Sequence, residues 1–551
     1  MCAVGEERTR KNYAHGPGSC LMQADKNILT TLEDGVLLAV IDMPGRSMNV
    51  VSWAMLDSLE ALIDQVEQDE RVKAVVLTSG KKAFLAGADL EMIHMFIERA
   101  HLDTPAQFHE RCNRGGYLFR RLETSRKPYV AAINGLALGG GLEICLACHA
   151  RIAADDRSVQ LGLPEVKLGL LPGAGGTQRL PRLIGIGLGM GALLSGDAFT
   201  PAQALACGLV DKIVAPGDLL PAAKTMAVGL QNPQAPWDRA GATFDSAPFD
   251  FTRSDVIQEI AKTYHVTGQQ LTKYPAYRAI IDCVVGGWNR PIDEGIRWEM
   301  DCFVKLIRDP VAGNMVRTLF LNRQKAAKVG SASSVARRVS VIGEPGEALR
   351  RQLQEARVDL IPAAALEAED IALLLPGAAS DRGIAVAWLE LPTDTPAAVG
   401  AAAGIWLSAA TVHGRAAEVL VTENGAQASD AAMSLARQLR ASILATNGQR
   451  AVLPGLRSAQ QQARAAGCPE SAELLCIALQ AARSWEEGSV ADVDLVDVAA
   501  VVSGLHPAYS GGPFNYLRQC GIAALREQAL AASKLAPDLF RLPPRLDGLL
   551  A

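Results

Sequence analysis

Apolar and polar positions alternate in two different rhythms along the first two hundred residues. Gly35 to Asp42 is a short apolar run, Leu56, Leu59, Leu62, Ile63 and Val66 then recur at helical spacing, and Val72 to Ser79 is apolar again. That order predicts strand, helix, strand. A third apolar run, Pro128 to Asn134, leads into glycines and another helical pattern, so an α/β domain is predicted to about Val214. From about Pro216 the texture changes. Residues 231–255 are rich in Pro, Ala, Asp and Ser without periodicity. Ile296 to Ala327 then reads as a long helix with Trp298, Phe303, Leu306 and Ile307 on one face. A linker and a docking helix are expected there.

Strand-like runs resume at Arg338 to Gly343, with further short apolar segments at Val358 to Ile361, Ile371 to Leu375, Ile384 to Leu389 and Glu418 to Thr422. An Ala/Gln/Arg-rich helical pattern runs from about Leu453 to the end, without an internal repeat at solenoid periods.

A chain of 551 residues exceeds one hydrophobic core, so two to four domains are expected. The net charge of −5 and the lack of a Lys/Arg cluster argue against nucleic acid as a partner. The first twenty residues mix charges with Gly and Pro and contain no apolar segment, so they read as a flexible tail rather than a secretory signal. No transmembrane segment is expected, because the weakly polar stretch Ala397 to Val412 falls short of the ~20 apolar residues that cross a bilayer. Eleven cysteines without framework spacing suit a reducing compartment, and a cytoplasmic location is expected.

The candidate chemistry lies in three glycine-rich passages: AFLAGADL at Ala83–Leu90, NGLALGGGLEI at Asn134–Ile144, and GLPEVKLGLLPGAGGTQRLPRLIG at Gly162–Gly185. A strand ending in Gly139, Gly140 and Gly141 and running into a helix leaves unpaired N–H groups where the helix dipole also favours negative charge. Such a turn can hold an oxyanion. The turn at Ala86, Gly87 and Ala88, followed by Asp89, could present a second donor at close range. Glu143 falls on the first turn of the helix, beside those donors. Glu165 follows Pro164 in an apolar loop, where desolvation would raise its pKa. Two carboxylates in unlike environments supply an acid and a base, and water addition to an enoyl thioester needs both, together with an oxyanion hole. Cys145 and Cys148 form a CxxC with no second pair at zinc-ligand spacing, so core packing is expected of them, and a structural role of His149.

Over about Leu32 to Leu219 these motifs resemble the crotonase (enoyl-CoA hydratase/isomerase) superfamily, and VAAINGLALGGGLEICLA looks closest to the fused α-subunits of fatty-acid β-oxidation. The resemblance implies that Ala88 and Gly140 match the oxyanion-hole amides and that Glu143 and Glu165 match the two hydratase glutamates. The first would activate water and the second protonate Cα, and Gly173 would line the water site. It also implies an acyl-CoA substrate, no cofactor for hydration, Δ3,Δ2-enoyl isomerase activity as an option of the same site, and a homodimer or a complex with a thiolase.

Those fused α-subunits continue into a 3-hydroxyacyl-CoA dehydrogenase, which residues 336–551 resemble with faults. A dinucleotide fingerprint needs glycines at its first, third and sixth positions, and here stand Gly343, Pro345 and Ala348. Proline has no N–H to offer pyrophosphate, while Glu344 and Glu347 add negative charge, so NAD binding is not expected. Glu418 matches the family's catalytic glutamate, yet its histidine position holds Trp406, and His413 stands five residues from Glu418.

The resulting expectation is α/β: a flexible tail (1–24), a crotonase-type ββα spiral domain (25–230), a helical linker (231–335), a truncated Rossmann-like domain (336–448) and an all-helical dehydrogenase-like C-terminal domain (449–551). The expected function is enoyl-CoA hydration with an inactive dehydrogenase half. A bifunctional enzyme using NAD and a non-catalytic subunit that binds acyl-CoA or organises a thiolase are the alternatives.

Overall fold

Strands buried on both faces read as continuous apolar runs rather than alternating ones, and every residue of Val36–Ile41, Ala74–Ser79, Tyr129–Ile133 and Ala150–Ala154 is buried. The computed structural model describes residues 20–21, 27–231, 233–329, 337–390, 394, 396–399, 401–421, 426–447 and 450–550. Most of the expected tail, 1–24, lies outside the described residues. The chain divides into two compact units, with the boundary between Arg308 and Asp309.

In the first unit the main sheet is formed by β1 (Cys20–Leu21), β2 (Ile28–Glu33), β3 (Val36–Ile41), β4 (Ala74–Ser79), β5 (Tyr129–Ile133), β7 (Ala150–Ala154) and β9 (Lys212–Val214), hydrogen-bonded in that order. β1, β2 and β3 pair antiparallel, and every pairing from β3 to β9 is parallel. Helix α1 (Trp53–Gln68) makes the first crossover. Ser52 caps it by accepting the Met55 amide, and it buries Leu56, Leu59, Leu62, Ile63 and Val66, the periodic positions of the sequence. A second layer is small and bears the site: β6 (Ala137–Leu138) pairs parallel with β8 (Leu161–Gly162), and a single bridge joins Leu85 to Ala137.

Within 233–255 Trp237 and Phe249 are buried, and the Trp237 indole N–H donates to Glu123 at 3.0 Å. The site helices are α2 (Leu90–Arg99), α3 (Gly140–Ala147) and α4 (Gly176–Ile184); after residue 255 two short helices, Val256–Thr263 and Gly268–Lys273, lead into α5 (Pro275–Gly287) and α6 (Ile292–Ile307). The predicted long helix is interrupted. Pro310 stops it, and Asp309 caps a new short helix by accepting the Val311 amide. Trp298 also departs from the predicted face. It is half-buried with its indole N–H on Asp282 O, whereas Ile296, Glu299, Met300 and Phe303 make the buried stripe.

The second unit contains a six-stranded sheet in sequential order: β10 (Val339–Ile342), β11 (Ile371–Leu374), β12 (Ile384–Trp388), β13 (Ala403–Leu407), β14 (Ala416–Val421) and β15 (Ser442–Asn447). Only β13 and β14 pair antiparallel. The apolar run at Val358–Ile361 yields no strand among the described residues, only a bridge from Leu360 to Val339. Conversely β13 and β15 were not marked by the sequence, because short Ala/Gly-rich and polar-mixed runs carry little periodicity. Helices Val452–Ala465, Glu470–Glu486 and Pro513–Ala532 share a core around Ala463, Leu475, Leu479, Leu517 and Leu525. No described helix is long and apolar enough to cross a membrane.

Candidate active site

Three loops are laced together beside the sheet. Leu85 N–H donates to Leu136 O, Leu138 N–H to Leu85 O, and Gly139 N–H to Gly162 O, at 3.0, 3.1 and 2.9 Å. The turn through Ala86, Gly87 and Ala88 is further fixed by Ala86 N–H on Asn49 O, Val51 N–H on Gly87 O and Asp89 N–H on Val51 O. None of these bonds uses the Ala88 amide. Asp89 turns away to pair with Arg46, 2.6 Å between charged atoms. Asn49, which sequence reasoning missed, is fully buried, and its side chain binds Met43 N–H, Ile41 O and Ser79 Oγ.

Gly139 begins α3 (Gly140–Ala147) with φ +53°, a left-handed conformation that favours glycine. Leu142 and Glu143 donate to Gly139 O, so the Gly140 and Gly141 amides stand at the open helix start. Space is equally restrictive. A Cβ on Gly139 would lie 2.6 Å from Glu165 Oε1, and one on Gly141 would lie 2.2 Å from Leu85 O.

Ala88, Gly140, Glu143, Glu165 and Gly173 all line one cavity of about 110 Å³, with Val51, Trp53, Met92, Phe96, Leu171 and Phe303 as its apolar wall. Ala86, Gly87, Asp89, Gly139, Gly141 and Pro164 do not line it. They shape the turns behind it, Pro164 by preceding the 3₁₀ turn Glu165–Leu168 that carries Glu165.

The two carboxyls differ in surroundings. Glu143 is 3% exposed, and its Oε1 accepts the amides of Ala174 (2.7 Å) and Gly176 (2.9 Å). Burial raises its pKa, and the two amides and the Arg179 charge pull against that rise. Glu165 is half-buried as a residue, but its Oε2 is closed to solvent and has no hydrogen-bond partner among the described residues. Burial and the neighbouring Glu143 charge hold its carboxyl well above the usual carboxylate range.

Two further residues of this cluster were not assigned to the site from the sequence. Phe303 of α6 packs edge-on to Phe96 (centroids 6.2 Å), which packs likewise on Trp53. Glu299, also on α6 and fully buried, accepts Gly175 N–H at 2.6 Å and Thr177 N–H at 2.9 Å. The visible signal was an acidic residue inside an apolar helix stripe. A buried pair backs the same loop. Arg179 binds both Glu123 oxygens and donates to Ala174 O at 2.8 Å.

The remaining candidates have structural partners. His149 Nδ1 accepts Tyr129 N–H at 2.9 Å, and Cys145 Sγ donates to Gly141 O. In the second unit Trp406 lies directly across from Glu418 on β13 and β14. Glu418 is fully buried and accepts Thr446 Oγ1 and the amides of Val452 and Leu453, each at 2.7 Å, so it caps helix Val452–Ala465. His413 is half-buried, and burial and the Arg323 charge lower its pKa. After β10 the chain turns through Gly343 (φ +111°), and Arg350 folds back onto Pro345 O (3.0 Å) and Glu344 (3.3 Å).

Residues 33–244 match the family described as enoyl-CoA hydratase/isomerase. The chain is 34% identical over 312 residues to the fatty acid oxidation complex subunit alpha of Shewanella sp. (strain ANA-3), covering 56% of this chain and 43% of that protein. It is 34% identical over 315 residues to the same subunit of Shewanella frigidimarina, covering 57% and 43%. The chain thus spans less than half the length of these curated relatives. Among solved structures it is similar to an enoyl-CoA hydratase from Bacillus anthracis, at 28% identity and a TM-score of 0.33, covering 54% of this chain and 96% of that one.

Proposed function

Given an enoyl-CoA hydratase/isomerase domain over residues 33–244, we propose that this chain adds water across the double bond of 2-enoyl-CoA thioesters in fatty-acid β-oxidation. The observation that carries the proposal is the pair of unlike carboxyls, Glu143 and Glu165, on one small cavity with the Ala88 and Gly140 amides. Glu143, whose Oε1 is already held by two amides, is the base: it takes a proton from water as the oxygen attacks Cβ. Electrons move onto the thioester oxygen, where the Ala88 and Gly140 amides stabilise the charge. Glu165, kept protonated by burial and by the Glu143 charge, delivers its proton to Cα. The sum is one H and one OH added, and the proton on Glu143 returns to solvent while Glu165 is reprotonated. Removing a Cα proton, which the thioester acidifies, and delivering it to Cγ would use the same groups for Δ3,Δ2 isomerisation.

The second unit supports a truncated Rossmann-like sheet and a dehydrogenase-like helical layer without hydride chemistry. Its residues do not fit NAD. Pro345 offers no amide, Glu344 and Glu347 oppose pyrophosphate, and Arg350 is turned onto the loop itself. Glu418 is engaged as a helix cap beside an indole. Assembly as a homodimer or with a thiolase belongs to the same proposal.

Crotonyl-CoA with NAD present tests these readings together. Loss of enoyl absorbance without NADH is the expected result. NADH formation would instead establish a bifunctional enzyme, and unchanged enoyl-CoA a non-catalytic acyl-CoA-binding or thiolase-organising subunit.

A further inference from the structure

Four successive amides, Ala174 to Thr177, run through the loop that enters α4 (Gly176–Ile184), and they are shared alternately between two buried carboxyl groups. The amides of Ala174 and Gly176 point to Glu143 Oε1. Those of Gly175 and Thr177 point to Glu299, Gly175 to Oε1 and Thr177 to Oε2, which also accepts Thr177 Oγ1 at 2.5 Å. Arg179 fixes the carbonyl between them by donating to Ala174 O. Gly175 holds φ +98° in the middle of this run, and a Cβ there would lie 1.8 Å from Arg179 Nη1, so a larger residue would be strained and would displace Arg179.

From this alternation we infer that Glu299 is a positioning residue for hydration: by gripping every second amide from one side, it aims the intervening two at Glu143 and leaves Glu143 Oε2 for water. The inference rests on the hydratase proposal. Glu299 does not line the cavity, and it touches the chemistry only through the loop. Retaining a carboxyl group on the apolar stripe of α6, between Ile296 and Phe303, carries a desolvation cost that an apolar side chain would avoid. Burial and the Glu143 charge push its carboxyl up to about 8. A side chain so placed is explained by the donors it satisfies. Without it Gly175 and Thr177 lose their acceptor, the loop turns to find others, and Glu143 loses its fixed orientation. The thioester grip is made elsewhere, by Ala88 and Gly140, and is untouched by this change.

A double-mutant cycle on the full chain reads the connection. With crotonyl-CoA, Glu299→Gln is expected to lower kcat about 30-fold with KM within about threefold, and Glu143→Gln about 100-fold. If Glu299 acts through Glu143, the double variant falls no further than Glu143→Gln alone. Multiplied losses, or a raised KM with kcat intact, would overturn the inference while leaving the hydratase reading standing. An inactive wild type would overturn that reading and the inference with it. Should Glu299→Gln fail to fold, Thr177→Val replaces it in the cycle. It removes the shortest of the three bonds, with an expected kcat loss of about fivefold that also vanishes in the Glu143→Gln background.

Discussion

Burial raises the carboxyls of Glu143 and Glu165 alike, but two loop amides and the Arg179 charge offset the rise at Glu143, whereas at Glu165 the Glu143 charge adds to it and outweighs the one backbone hydrogen bond that opposes it. That difference orders the pair, so that Glu143 ionises first and the charge it then carries holds the proton on Glu165. Activity requires the base deprotonated and the acid protonated. It should therefore fall as pH drops through the lower apparent pKa of the pair and fall again as pH rises through the upper one. Both limbs are expected above the ~4.3 of an ordinary glutamate. A pH profile of kcat/KM checks this, and an acid limb at ordinary carboxylate pH would refute the assigned order. Glu143→Gln and Glu165→Gln should each lower turnover by at least ~100-fold. The second should also abolish the alkaline limb, because no acid remains to be titrated.

Loops and helices, rather than single side chains, determine whether those glutamates meet. Gly141 fits because Leu85 O occupies the place of its missing side chain, and this contact presses the turn bearing Ala88 against the start of α3. Gly141→Ala should push the two turns apart and lower kcat by about 100-fold with a smaller change in KM, since it disturbs the amides that carry the charge developing on the thioester oxygen. Steady-state kinetics alongside a melting curve separates that from unfolding. Much of this was legible in the sequence, because the Gly139–Gly141 turn, the helix start and Glu143 lie within a few residues of one another and glycine marks positions where backbone approaches closely. The α6 contribution was not. Glu299 meets Gly175 across 124 residues of chain, and periodicity showed only that α6 had an apolar face, not what that face would cover. The predicted continuation of α6 past Pro310 failed for a local reason the sequence did contain, a proline preceded by a capping aspartate.

At the scale of the molecule, hydration chemistry is assigned to the first unit, and the second unit uses its own acidic residue for structure. Glu418 satisfies one hydroxyl and two helix-start amides in a fully buried place. Glu418→Ala should thus cost the second unit about 3 kcal/mol or more, because three donors lose their acceptor. Hydration kcat/KM should stay within about twofold, and a collapse of hydration would show that this glutamate serves the reaction. NAD gives the complementary test. A ligand that binds only the folded state at about 100 times its Kd stabilises it by ~2.7 kcal/mol, which a melting curve detects readily. At the β10 turn Pro345 removes the amide of the middle position, Glu344 and Glu347 oppose pyrophosphate, and Arg350 is turned back onto the loop. Millimolar NAD should therefore leave the melting temperature of the full chain unchanged. A saturable rise would mean that the loop opens to the cofactor, and the second unit would then have to be counted as a dinucleotide-binding domain.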